Sequence, residues 1–246
     1  MSVRIITTLQ PSDKTKLLAL HAGFPLEDAA FFVLYEDNKM LCSAAAFVPE
    51  SDLCYECYAY TAPNYRRQGY FSEILDAAIE ELPEDTEFMF YTDGADTDCM
   101  STLKALEAEL ISEEHMMEFN LKCLEKAVNT VFSANCIQTP LVCKESVIDN
   151  TKTLHYKNSY GSVQISVFTS YYYLYGFEIQ EDFRGKGHGK RFLFQVMHDL
   201  AARAPLPLRL QVSGDNLPAF SLYKKTGFQI TETLFGYLYL PNVPCL

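Results

Sequence analysis

Residues 183–190 read Phe183-Arg184-Gly185-Lys186-Gly187-His188-Gly189-Lys190. A strand-like stretch, Tyr171 to Gln180, precedes them. After them Phe192, Leu193, Val196, Met197, Leu200 and Ala201 recur at helical spacing. The segment is therefore a turn between a strand and a helix. Its glycines remove side chains that would shield the backbone N–H groups. The helix N-terminus adds about half a positive charge. Together these form a cradle for a phosphate or pyrophosphate, and Arg184, Lys186 and Lys190 add full charges. Two better-known phosphate loops are excluded. A P-loop needs GxxxxGK[ST], and Arg184 stands five residues before Gly189. A dinucleotide loop needs a third glycine where Lys190 or Phe192 stands. Taken alone, the segment also reads as a glycine-rich turn with a solvated basic face, His188 being a tolerated non-glycine residue.

The chain is written twice. Tyr65-Arg66-Arg67-Gln68-Gly69-Tyr70-Phe71 resembles Phe183 to Gly189 at a separation of 118 residues (183 against 65). Apolar stripes follow both: Phe71, Ile74, Leu75, Ala78, Ile79 and Leu82 in the first copy. Pro83 and Pro205 mark the two helix ends. Glu87 to Tyr91 and Leu208 to Val212 read as further strands, each leading through a polar loop into another helical stretch. Tyr55 to Thr61 precedes the first arginine segment as a strand. The division is placed near residue 127, giving domains 1–127 and 128–246. Residues 1–127 carry 9 Lys+Arg and 24 Asp+Glu, a net −15, whereas residues 128–246 carry 11 and 8, a net +3. A polyanionic ligand meets the more favourable field in the second half.

Downstream, Val212-Ser213-Gly214-Asp215-Asn216-Leu217-Pro218-Ala219-Phe220-Ser221-Leu222-Tyr223-Lys224-Lys225-Thr226-Gly227-Phe228 reads as a strand end, a loop, a helix and a glycine stop. With the R-x-x-G-x-G/A loop before it, this Asn-x-x-Ala-x-x-Leu-Tyr-x-x-x-Gly-Phe segment resembles the GNAT N-acetyltransferase superfamily. The resemblance covers residues 170–240 well and 53–120 in weaker form. It implies an α/β (mixed α+β) chain of two tandem GNAT-like domains. Each would have a central mixed sheet, flanking helices and a splayed strand pair that admits acetyl-CoA as co-substrate.

Carried over, the resemblance has the backbone of Phe177, Glu178, Ile179 and Gln180 meet the pantetheine arm. The N–H groups of Arg184, Gly185, Lys186, Gly187, His188, Gly189 and Lys190 would hold the pyrophosphate. Asn216 would line the cleft, or only cap its helix. Tyr223 would serve as general acid at the sulfur, unless it is a core aromatic capped by a hydrogen bond. Glu178 is the candidate base, although strand position leaves its face open. The first copy departs from the pattern. At the same separation Phe71 replaces Gly189, Asp98 replaces Asn216, Ala105 replaces Tyr223 and Glu109 replaces Gly227. The first domain is therefore expected to be degenerate and the second catalytic.

Composition narrows the classes further. The 246 residues include 20 basic and 32 acidic side chains, a net charge of −12, which argues against nucleic-acid and anionic-membrane partners. No eighteen-residue apolar run offers a transmembrane helix. No export signal precedes the eight cysteines, so they are expected as reduced thiols in a cytoplasmic protein. Cys54 and Cys57 form a CxxC on a strand, where residues three apart point to opposite faces, so no metal site is expected. The expected reaction is acetyl transfer from acetyl-CoA to the primary amine of a small-molecule or peptide acceptor. The alternative is a non-catalytic acyl-CoA binding or regulatory module.

Overall fold

A computed structural model describes residues 3–36, 40–124, 139–148 and 150–241. The expected boundary near residue 127 lies outside these. The chain divides into two compact units, one of residues 1–111 with 235–246 and the other of residues 112–234. In the first unit the strands β1 (Arg4–Ile6), β2 (Ala30–Glu36), β3 (Met40–Pro49), β4 (Cys54–Thr61) and β5 (Glu87–Thr92) pair in chain order. In the second, a strand order β6-β11-β10-β9-β8-β7 is built from β6 (Glu109–Asn120), β7 (Val142–Ile148), β8 (Thr151–Lys157), β9 (Gly161–Val167), β10 (Tyr172–Ile179) and β11 (Pro207–Ser213). Strand β6 and the last strand, β12 (Gln229–Tyr239), each run from one unit into the other. Residues 235–239 complete the first sheet by pairing antiparallel with β5. Tyr237 and Tyr239 pack there against its core.

Five helices are described: α1 (Pro11–Leu20), α2 (Tyr70–Glu81), α3 (Thr97–Ala105), α4 (His188–Arg203) and α5 (Leu217–Thr226). The stripes expected on α2 and α4 are the buried ones. Ile74, Leu75 and Ala78 anchor α2, and Phe192, Leu193, Val196, Met197 and Leu200 anchor α4. Each of these side chains other than Ala78 contributes about 1.5–3 kcal/mol by leaving water. No described helix is long and apolar enough to cross a membrane. Cys57 is buried in the first core, whereas the Cys54 thiol lies 3.8 Å from Glu50 Oε2. The two cysteines thus occupy opposite faces of β4, and both thiols are free.

In both units the sheet is antiparallel except at one central pair. Strand β10 runs parallel to β11 only from Tyr172 to Leu174. Strand β4 runs parallel to β5 only from Cys54 to Glu56. Beyond those three residues the partners diverge and leave one edge of β10 and of β4 open. In the second unit a bulge between Tyr175 and Glu178 sharpens the departure. Gly176 sits in the bulge at φ +59°. Across from it Gly161 lies so close that an added Cβ would meet the Glu178 carbonyl oxygen at 2.0 Å. Only glycine allows β9 to approach the bulge. Gly161→Ala is expected to lower stability by about 1–3 kcal/mol, read as a shift of the urea midpoint. An unchanged midpoint would show that β9 moves aside freely.

Candidate active site

The second unit's site begins at the open edge of β10. Backbone groups of alternate residues face opposite edges of a strand. The Gln180 N–H donates to the Tyr160 carbonyl at 2.9 Å, on the β9 side. Gln180 thus has only its side chain left for a ligand. Residues 177 and 179 present their backbone groups to the splay instead. The Ile179 carbonyl accepts Arg184 Nε at 2.8 Å, which leaves the Ile179 N–H directed at the gap.

A single 3₁₀ turn, Glu181–Phe183, then reverses the chain. Gly185 at φ +72° and Gly187 at φ +79° follow, and Gly187 is the N-cap of α4. Nothing lies within 4 Å of a Cβ added at either glycine. Among the described residues no backbone bond engages the N–H groups from Gly185 to Lys190. Some of these are donors that every helix N-terminus leaves over. Lys186 Nζ donates to the Asp182 carbonyl at 2.8 Å. Neither it, Arg184 nor Lys190 forms an ion pair with a carboxylate among the described residues. The sequence treats His188 as incidental, but its ring is stacked on Tyr160 at 4.0 Å and edge-on to Phe183 at 5.5 Å. Its Nδ1 is buried without a hydrogen-bond partner among the described residues. The local sequence gives no sign of this stack, because Tyr160 comes from the end of β9.

Tyr223 on α5 is 5% exposed and packs edge-on against Phe177, on the splayed part of β10. Its hydroxyl has no hydrogen-bond partner among the described residues, unlike a core tyrosine with a capped tip. Burial alone pushes its phenol up to about 12. Asn216 does cap α5, its side chain accepting the Ala219 N–H at 3.3 Å. Phe177 faces the core, so Glu178 falls on the opposite face, where it is exposed.

The first unit repeats this backbone with other side chains. Arg66 Nε donates to the Thr61 carbonyl at 3.1 Å, matching Arg184. Arg67 at φ +60° and Gly69 at φ +83° stand for the two αL glycines, and Gly69 caps α2. The separation of 118 is lost before β5, which begins at Glu87 against Pro207 for β11, 120 residues apart. The N-cap of α3 is Asp96, so Asp96 rather than Asp98 answers to Asn216. Leu103, not Ala105, then takes the buried place of Tyr223. Glu107 at φ +55°, not Glu109, takes the place of Gly227 at φ +98°. Helix α4 has 16 residues against 12 in α2, and the loop after it (204–206) is two residues shorter than that after α2 (82–86), a net shift of two that sequence counting missed. Asp98 grips both arginines: Arg67 Nη2 at 2.7 Å, Arg67 Nε at 3.0 Å and Arg66 Nη1 at 3.3 Å. Asp96 lies 3.7 Å from Arg66.

The profile of the Acetyltransferase (GNAT) family matches residues 6–98 and 155–228, about two thirds of the chain. The chain belongs to the GNAT acetyltransferase family. Both matched regions contain one arginine turn and one splayed pair, so the family pattern occurs twice. Curated protein sequences include no match. Solved structures agree in fold. A tandem GNAT protein from the clavulanic acid biosynthesis pathway superposes with a TM-score of 0.58 at 12% identity, covering 99% of this chain and 100% of that one. A GNAT-family acetyltransferase from Colwellia psychrerythraea gives 0.56 at 14% identity, covering 97% and 100%. The GCN5-related N-acetyltransferase from Sphaerobacter thermophilus gives 0.54 at 10%, covering 94% and 86%.

The buried tyrosine of this GNAT chain makes stability depend on alkaline pH. Burial disfavours the phenolate, so the folded protein holds this proton more tightly than the unfolded chain, where the phenol ionises near pH ~10. The associated stability is complete below that pH and is lost as pH rises toward about 12. Between pH ~9 and ~11.5 the wild type is expected to lose about 2 kcal/mol more than Tyr223→Phe. Denaturant titrations of both proteins across that range check it. Parallel losses would show that Tyr223 ionises normally in the fold.

Proposed function

We propose that the protein transfers the acetyl group of acetyl-CoA to a primary amine, with the second unit holding the cofactor and the reacting groups. One contrast carries this reading. The two units share a cradle, but among the described residues only the second has turn cations free of carboxylates and a buried tyrosine on the helix after its parallel pair, where the first has Leu103. The residues present fit the cofactor. The N–H groups of Gly185 to Lys190, with Arg184, Lys186 and Lys190, would hold its pyrophosphate. The open edge at Phe177 and Ile179 would take the amide-bearing arm by strand-like pairing. Asn216 has its side-chain N–H groups still available beside its capping bond. Acetyl-CoA supplies an activated thioester.

The chain's own groups then have defined tasks. The Ile179 N–H faces the splay, where a backbone donor stabilises a developing oxyanion. Tyr223 keeps its proton at Oη throughout the neutral range, because burial raises its phenol. A thiol ordinarily ionises near pH ~8.5, so complete transfer from this phenol is uphill. Tyr223 therefore acts as a hydrogen-bond donor to the leaving sulfur and yields its proton only as charge develops there. Glu178 presents a carboxylate on the exposed face and accepts the ammonium proton, directly or through water.

Calorimetric titration with acetyl-CoA tests the reading first. Saturation near one equivalent is expected, and Gly187→Glu should abolish it, by placing a carboxylate in the cradle. Retained affinity in that variant would put the cofactor elsewhere. With an amine panel and thiol release as the readout, Tyr223→Phe should lower kcat by about a hundredfold with acetyl-CoA affinity unchanged. An undiminished kcat would remove Tyr223 from the chemistry.

A further inference from the structure

The splay of the first unit has no task in the acetyl-transfer reading, yet it is a cleft. Where β4 and β5 part, a cavity of about 580 Å³ opens, within the range that holds a small organic ligand. Three phenylalanines and five tyrosines line it. Phe71 and Phe90 come from the face that carries α2, and the two rings pack edge to face at 6.3 Å. Strand register puts Glu56, Tyr58 and Tyr60 of β4 on the other face, with Tyr91 of β5.

Charge decides which ligand such a cleft prefers. At the cradle end the guanidiniums of Arg66 and Arg67 are already engaged by Asp96 and Asp98. An incoming phosphate would have to displace a bidentate carboxylate, so the arrangement disfavours the anion that the second cradle accepts. Glu56 lies outside the lining but shares the face of Tyr58 and Tyr91. Glu50 stands next to Pro49, which pairs with Tyr55, and contacts the Cys54 thiol. Neither Glu50 nor Glu56 has an ion-pair partner among the described residues. Burial, then Glu56, pushes the Tyr58 phenol up to about 12. Burial, then Glu50 and Glu56, raises that of Tyr91. Both rings thus stay protonated, with the negative π face that attracts a cation. The −15 balance of residues 1–127 supports cation entry.

We propose that this cleft is a binding site for an organic ammonium ion, with the cationic head beside Tyr58 and Tyr91 and the apolar tail between β4 and β5. The proposal does not depend on acetyl transfer by the second unit. Hexyltrimethylammonium is the probe, because its nitrogen has no proton to lose and no lone pair to acetylate. Calorimetric titration of the full chain should show saturable binding near one equivalent. The double variant Glu50→Gln with Glu56→Gln should bind it about tenfold more weakly, and hexanoate should bind the wild type at least about tenfold more weakly than the cation. Absence of saturable cation binding overturns the proposal. So does equal binding of hexanoate, or an unchanged affinity in the double variant. Circular dichroism of the double variant verifies its fold. An acetyl-CoA titration of the wild type separates the two readings: its failure removes the transferase proposal and leaves the ammonium result to stand or fall by itself.

Discussion

Each unit depends on a parallel strand pair that holds for three residues and then parts. A strand edge inside a fold leaves N–H and C=O groups that must find partners. On an exposed edge water serves, but in the first unit this edge faces a cleft lined by packed side chains. The second unit maintains the parting with a bulge and with Gly161, whose missing Cβ lets β9 follow the bulge at backbone distance. The open edge, the helix behind it and the turn between them are therefore one device. The strand supplies a row of unpaired backbone groups, and the helix supplies donors and dipole at its end. Ligand capacity follows from the backbone before any side chain is chosen.

Side chains then make the two copies chemically different. In the second, cations surround the cradle and a buried tyrosine stands at the splay with no hydrogen-bond partner for its hydroxyl among the described residues. In the first, Asp96 and Asp98 engage the arginines, and Leu103 occupies the tyrosine's place. Phe71, where the second copy has Gly189, packs against Phe90 at the cleft instead of leaving the helix end bare. Such changes leave the fold alone because each is local. An aspartate is a good N-cap, so Asp96 supports α3 as Asn216 supports α5. The same helix ends thus carry opposite electrostatic preferences.

What was legible in the sequence was what is local. Turn glycines, helical stripes and strand alternation placed β4, β5, β10, β11, α2 and α4 within a residue or two, because those signals are contained in a few neighbouring residues. The duplicated turn was legible for the same reason. The correspondence drifted before β5, where α4 is four residues longer than α2 and the loop after it two residues shorter, and the caps at Asp96 and Asn216 restore it. The passage of β6 and β12 from one unit to the other left no trace, since no residue in an extended strand states which neighbour it will pair with. The face of Glu178 followed only once Phe177 was seen in the core. The stack of Tyr160, Phe183 and His188 joins residues 28 apart (160 to 188) and needed the fold to bring them together.

Arg184 shows how a motif residue can be read too simply. In the sequence it is one more positive charge for a phosphate. In the fold its Nε holds the carbonyl that ends β10, and Arg66 does the same for β4. A guanidinium has further N–H donors in its fork, so one side chain can fix the strand end and still present charge to a ligand. A lysine has no second, rigidly oriented donor with which to do both. The tie explains why the first unit keeps this arginine although its turn arginines are paired with carboxylates. There the residue is needed to set the angle between strand and helix, and its remaining charge is met by Asp96 and Asp98. The arginine in the turn therefore marks the geometry of the fold. Whether that geometry serves an anion is decided by the carboxylates that stand opposite it.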